Sequence, residues 1–153
     1  VTVTDKDMSR FFMSIPQAVH TIFQASELMK GQEIFILKMP VATIGDIAES
    51  LIDLVKEKYG IEQEVELKII GKKVGERQHE HLLTLEESRS ALERDDLYII
   101  RPNLEHEEFH DFKFEEYPDS KPAEVKAYSS VNEVKMTKEE IKSMLKSVRS
   151  LEL

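Results

Sequence analysis

Cysteine is absent from the 153 residues, which excludes disulfides and cysteine-ligated zinc or iron–sulfur sites. Glycine and proline are sparse, five of each, and no internal repeat or low-complexity tract is found. No apolar run approaches the roughly 20 residues that a membrane-spanning helix needs, and no signal-peptide pattern opens the chain. Basic side chains are in the minority, 21 against 30 acidic ones, for a net charge of −9. Such a balance repels a phosphate backbone and argues against nucleic acid as a partner. A small anion remains possible where positive charge is concentrated locally. The expectation is a soluble cytoplasmic chain with neither a nucleic-acid nor a membrane partner.

Hydrophobic residues make up 41% and charged residues 33%, the composition of a globular domain with charge on the high side. The opening Val1-Thr2-Val3-Thr4 reads as strand with no polar lead, and this predicts a fragment of a longer protein. Ser14-Ile15-Pro16-Gln17 marks a helix start, with Ala18, Val19, Ile22, Phe23 and Met29 on one stripe and Gly31 at its end. Glu33 to Lys38 is a short apolar run, read as a buried strand. Thr43 to Asp46 opens a second helix, Asp46 being placed to meet the orphan amides, and Gly60 closes it. Val65 to Ile70 alternates as a strand. Thr84-Leu85-Glu86-Glu87 and Thr137-Lys138-Glu139-Glu140 are capping boxes that open two further helices, and Leu97 to Ile100 is another apolar strand.

After Pro102 the chain turns polar, with Phe109, Phe112, Phe114, Tyr117 and Tyr128 scattered among acids. Such a stretch cannot build its own core and is expected to lie across another surface, together with the last helix. The pattern predicts an α/β fold with an appendage: a domain over residues 1–102, then an extended arm and terminal helix over 103–153.

Positive charge is densest at Lys68, Lys72, Lys73 and Arg77, beside Gly71 and Gly75, whose bare backbones can approach an anion closely. Arg10 is an isolated cation at a strand end. His106-Glu107-Glu108-Phe109-His110 spells the H-E-x-x-H of zinc hydrolases. It lies in the polar arm without the apolar helix such a site needs, so no metal is assigned. His79-Glu80-His81 reads as a loop-to-helix junction rather than a ligand set.

Several stretches together are specific. Met8-Ser9-Arg10-Phe11-Phe12-Met13-Ser14-Ile15 leads into a helix. Gly31-Gln32-Glu33-Ile34-Phe35, Thr43-Ile44-Gly45-Asp46-Ile47-Ala48, Ile70-Gly71-Lys72-Lys73-Val74-Gly75-Glu76-Arg77 and Tyr128-Ser129-Ser130-Val131-Asn132 follow in order. In this the chain resembles the carboxy-terminal part of bacterial and archaeal polysaccharide-biosynthesis dehydratases, extended short-chain dehydrogenase/reductases acting on UDP-N-acetylglucosamine. The resemblance implies that Arg10 reaches the UDP diphosphate and that the Lys72–Arg77 loop closes over the nucleotide. Lys73 and Arg77 would meet phosphate, and Glu76 would accept from the ribose hydroxyls. Lys73 stands where the family usually has arginine, so it can neutralise a phosphate but not grip it with a fork of donors. The Tyr128–Asn132 stretch is read as turn and capping residues that position the last helix.

Two family features are missing. The glycines, Gly31, Gly45, Gly60, Gly71 and Gly75, do not form the G-x-x-G-x-x-G turn that seats a dinucleotide pyrophosphate. The one Tyr-x-x-x-Lys match, Tyr117 with Lys121, falls in an irregular acidic stretch instead of on a long helix, and is taken as coincidence. The resemblance therefore implies a UDP-sugar-binding piece that is inactive alone and holds no cofactor. NAD or NADP would bind a missing amino-terminal Rossmann half, and the intact enzyme would be a homo-oligomeric dehydratase, epimerase or both. The alternative is a free-standing, non-enzymatic module that binds a nucleotide sugar or a partner protein.

Overall fold

In the computed structural model, residues 1–101, 117 and 119–148 are described. Along the chain come β1 (Thr2–Val3), β2 (Ser9–Phe11), α1 (Ile15–Leu28), β3 (Ile34–Leu37), β4 (Val41–Thr43) and α2 (Ile44–Tyr59). Then follow β5 (Lys68–Ile69), β6 (His81–Leu83), α3 (Leu85–Ser90), β7 (Ala91–Glu93) and β8 (Leu97–Ile100). The last are β9 (Lys121–Pro122), β10 (Tyr128–Ser129) and α4 (Lys138–Ser147). The mixed α/β class expected from the sequence is what the chain adopts.

These elements sort into two compact units that interleave along the chain. One holds Val1–Phe12, Pro40–Glu80 and the described residues from Ser130 onward; the other holds Met13–Met39 and the described residues of His81–Ser129.

In the first unit, α2 starts where Thr43 accepts a hydrogen bond from the amide of Asp46 at 3.0 Å, satisfying one orphan donor. Asp46 turns back instead to accept from the Thr43 hydroxyl at 2.7 Å, so threonine and not aspartate is the cap. Gly60, at φ 62°, closes the helix in the left-handed conformation that glycine adopts without strain. Near the helix start, a side chain at Gly45 would meet the Lys6 carbonyl at 3.0 Å and its Cβ at 3.1 Å. The close approach serves a bond from the Gly45 amide to that carbonyl, 3.0 Å.

The helix α4 opens on its predicted capping box, Thr137 with Glu140, and packs on α2. Its Ile141 is fully buried, and Lys142 reaches Asp53 of α2 at 2.7 Å. The last helix thus lies across a surface built by residues 1–102, namely α2. Strand β2 pairs antiparallel with β4, matching Arg10 to Ala42. Strand β1 runs parallel to β5, which is shorter than the predicted Val65–Ile70 strand.

The second unit is built on a four-stranded sheet in the order β3-β8-β7-β9, antiparallel throughout. All four residues of β8 are buried, as a central apolar strand requires. Strand β10 pairs antiparallel with β6, and the Tyr128 ring lies 4.7 Å from that of Tyr98. His81 thus sits in a strand and not at a helix junction. Of the scattered aromatics, Tyr117 and Tyr128 are buried in this unit; Phe109, Phe112 and Phe114 lie outside the described residues.

The helix α1 begins as expected, with a capping box between Ser14 and Gln17 and proline in the first turn, but it ends at Leu28, ahead of Gly31. No residue of α1 is buried, so the apolar stripe read from the sequence meets no core among the described residues.

Candidate functional site

Arg10 enters the first unit on β2, held by the ladder to β4. Its guanidinium is only 22% exposed. One terminal nitrogen donates to the carbonyls of Ser9 at 2.7 Å and Gln78 at 3.2 Å; the other donates to the carbonyl of Arg77 at 2.7 Å. Its Nε lies 3.6 Å from a carboxylate oxygen of Glu80. The planar fork of donors thus clamps the end of the basic loop, a geometry that a lysine ammonium could not reproduce.

The loop is shaped by its glycines and by one carboxylate. Gly71 at φ 84° and Gly75 at φ 90° take conformations disfavoured for other residues. Just after Gly75, Glu76 accepts from the Lys73 amide at 3.0 Å and donates its own amide to the Lys73 carbonyl at 3.1 Å. Lys73, Glu76 and Arg77 are exposed. Lys72 pairs with Asp5 at 3.5 Å, and the Asp7 amide, helped by Gln78 and Lys72, holds the Asp5 carboxyl below its usual range against the opposing effect of burial.

The structure therefore brings Arg10 together with the backbone of Arg77, and leaves the side chains of Lys73 and Arg77 open to solvent. In this state the Glu76 carboxylate serves the turn.

Behind Arg10 lies a buried polar chain that the sequence did not disclose. Ser9 Oγ is 2.8 Å from His79 Nδ1 and 2.7 Å from Ser130 Oγ, and Ser130 Oγ accepts from the Glu80 amide at 2.9 Å. Ser9 and Ser130 are fully buried. Buried hydroxyls demand partners, and here they fasten residues 9, 79, 80 and 130 to one another. Ser130 was read as a turn or capping residue for the last helix; its hydroxyl is instead part of this lock. The only hint in the sequence was two serines in motif stretches, 121 residues apart.

The glycines lack the dinucleotide pattern, and Tyr117 is set against acid–base work. Its hydroxyl donates to Glu33, and burial, then the hydrogen bond and the negative charge of Glu33, push its pKa well up. A catalytic tyrosine needs the opposite shift. Among the described residues no cluster of three metal-ligating side chains occurs; His106 and His110 lie outside them. No described helix is long and apolar enough to cross a membrane.

The model of the polysaccharide biosynthesis protein family matches residues 1–102. A protein of Methanocaldococcus jannaschii, named an uncharacterized membrane protein, is 46% identical over 67% of this chain and 31% of its own length. The UDP-N-acetylglucosamine 4,6-dehydratase (inverting) of Campylobacter jejuni is 32% identical over 67% of this chain and 28% of its length. Among solved structures, Pen from Bacillus thuringiensis superposes with a TM-score of 0.80 at 36% identity, over 95% of this chain and 40% of Pen. The chain thus spans roughly a third of the length of the curated relatives it matches.

Proposed function

The chain belongs to the polysaccharide biosynthesis protein family, and on that premise we propose that it forms the UDP-sugar-binding, carboxy-terminal part of an NAD(P)-dependent nucleotide-sugar 4,6-dehydratase/epimerase. The sugar nucleotide is UDP-N-acetylglucosamine and the product feeds surface polysaccharide synthesis. In the longer protein the sugar is oxidised at C4, water is eliminated across C5–C6, and C5 is open to epimerisation. That chemistry belongs to a Rossmann portion outside these 153 residues, because the residues present here do not suit a dinucleotide.

The observation that carries this reading is the clamp of Arg10 on the Arg77 carbonyl. In a chain of net charge −9, an anion binds only where cations converge, and this contact fixes the basic loop beside a half-buried arginine. The diphosphate lies against that loop, with Lys73 and Arg77 swinging onto its oxygens and Arg10 supplying a further donor. Glu76 receives the ribose hydroxyls.

Mass spectrometry of UDP-N-acetylglucosamine incubated with the longer protein and NAD(P) tests the assignment. Loss of one water, giving a 4-keto sugar, is the expected outcome, with no such product from the 153-residue chain alone. Turnover by the pure short chain, or none by the longer protein, would contradict it.

A further inference from the structure

The protons of the buried chain behind Arg10 can be placed one by one. The Glu80 amide donates to Ser130 Oγ at 2.9 Å, a fixed direction because an amide N–H only donates. The Ser130 hydroxyl proton then has two acceptors, Ser9 Oγ at 2.7 Å and the Ser9 carbonyl at 3.2 Å. The shorter contact lies in the ordinary range for a hydroxyl donor and the longer one outside it. That carbonyl, moreover, already accepts from Arg10 at 2.7 Å. With Ser130 donating to Ser9 Oγ, the Ser9 proton goes to His79 Nδ1 at 2.8 Å. Every bond then points one way, from Glu80 through Ser130 and Ser9 to a neutral imidazole whose own proton sits on Nε2. Both serines are fully buried, so a broken link leaves a hydroxyl with no water to replace its partner.

This relay ends on the segment that holds Arg10. The carbonyls of Arg77 and Gln78 accept from the guanidinium, and the Glu80 carboxylate lies 3.6 Å from its Nε. His79 stands among these three in sequence. Its neighbours are tied by backbone, the Gln78 carbonyl to the Ser9 amide at 3.0 Å and the Glu80 carbonyl to the Ser130 amide at 2.9 Å. We infer that His79 is a positioning residue for Arg10. As an acceptor for Ser9 it sets the pose of residues 77–80 and keeps the Ser130 proton off the Ser9 carbonyl, leaving that acceptor to the guanidinium. The role rests on the reading above, in which the anion that Arg10 meets is the UDP diphosphate.

Heteronuclear NMR of the 153-residue chain tests the relay without any ligand. At a pH where an ordinary imidazole is neutral, His79 should carry its proton on Nε2 and none on Nδ1. The Arg10 Nε–H signal should move in His79→Leu and in His79→Gln, whose amide reaches only the place of Nε2. It should stay near its wild-type position in His79→Asn, whose carbonyl can take the place of Nδ1. Titration of the same variants with UDP-N-acetylglucosamine is the second arm. His79→Leu should weaken binding about tenfold, as for one net hydrogen bond, and His79→Asn should recover most of that loss. On an Arg10→Ala background His79→Leu should cost nothing further, because it acts through the arginine. A proton on Nδ1, an Arg10 signal indifferent to His79→Gln, equal losses in His79→Asn and His79→Leu, or additive losses in the double variant would each overturn the inference. If His79→Leu does not fold, the wild-type tautomer and the His79→Asn and His79→Gln variants still decide. The two claims fail separately. An Arg10 signal that answers to His79 in a chain that binds no UDP-sugar sinks the UDP reading alone, and binding that ignores His79 sinks this role alone.

Discussion

Three donor contacts of Arg10 already reach the carbonyls of residues 9, 77 and 78, so its removal has two consequences. The proposed phosphate contact is lost, and the loop that carries Lys73 and Arg77 is released. Arg10→Ala should weaken UDP binding by about 1.5–3 kcal/mol, the range for a charge-assisted hydrogen bond. Lys73→Ala should cost less and be more sensitive to salt, since an exposed ammonium acts as a screened point charge. Glu80→Gln should tighten UDP modestly, because a carboxylate 3.6 Å from the guanidinium competes with an incoming anion. Isothermal titration across a salt series separates the three. Tyr117 makes a different case. Its pKa is raised by burial first and then by the hydrogen bond and charge of Glu33, whose own pKa is lowered. At Glu33 burial opposes the shift, but the hydroxyl of Tyr117 and the amides of Glu33, Gly31 and Lys30 outweigh it. A group with a raised folded-state pKa gives stability that is complete below its unfolded value and is lost as pH rises through the folded one; for the lowered carboxylate the loss comes on acidification. Melting of the wild type minus that of Tyr117→Phe should therefore be flat between pH ~5 and ~9 and fall beyond ~10 and below ~4. A difference independent of pH would show that the bond contributes nothing.

At the scale of elements, helix starts were the most legible feature of the sequence. Ser14, Thr43, Thr84 and Thr137 all cap helices, because an N-cap is a local contract between residues three apart. The short strands β4, β6, β7, β9 and β10 were not legible, since two or three residues carry no readable period and are defined by partners distant in sequence. The same reason hid the lock of Ser9, His79 and Ser130, while the family motifs exposed Arg10 and the basic loop. Burial was misread at β3, expected as a buried strand but exposed at Ile34 and only half-buried at Phe35, Ile36 and Leu37, while the stripe of α1 is apolar but bare. At α4 the stripe is covered, and Ile141 is where that packing is tightest. Ile141→Ala should destabilise the first unit by about 2–4 kcal/mol through lost burial and the cavity left behind, read as a lowered urea midpoint. Gly45→Ala should cost about 1–3 kcal/mol in the same assay, as overpacking against the Lys6 backbone. A null effect there would mean that the Lys6 turn can shift aside.

For the molecule as a whole, the proposed UDP site rests on a basic loop of an acidic chain, held at its end by the Arg10 guanidinium. The claim stands or falls on where UDP touches. The most direct measurement is a titration of the isotope-labelled chain with UDP, followed by heteronuclear NMR and repeated with uridine, which lacks the diphosphate. Shifts should concentrate on the Arg10 side chain and the amides of residues 71–78 with UDP, should be weak there with uridine, and should fade on raising the salt. Shifts confined to other residues, equal responses to both ligands, or no response at millimolar UDP would contradict the site.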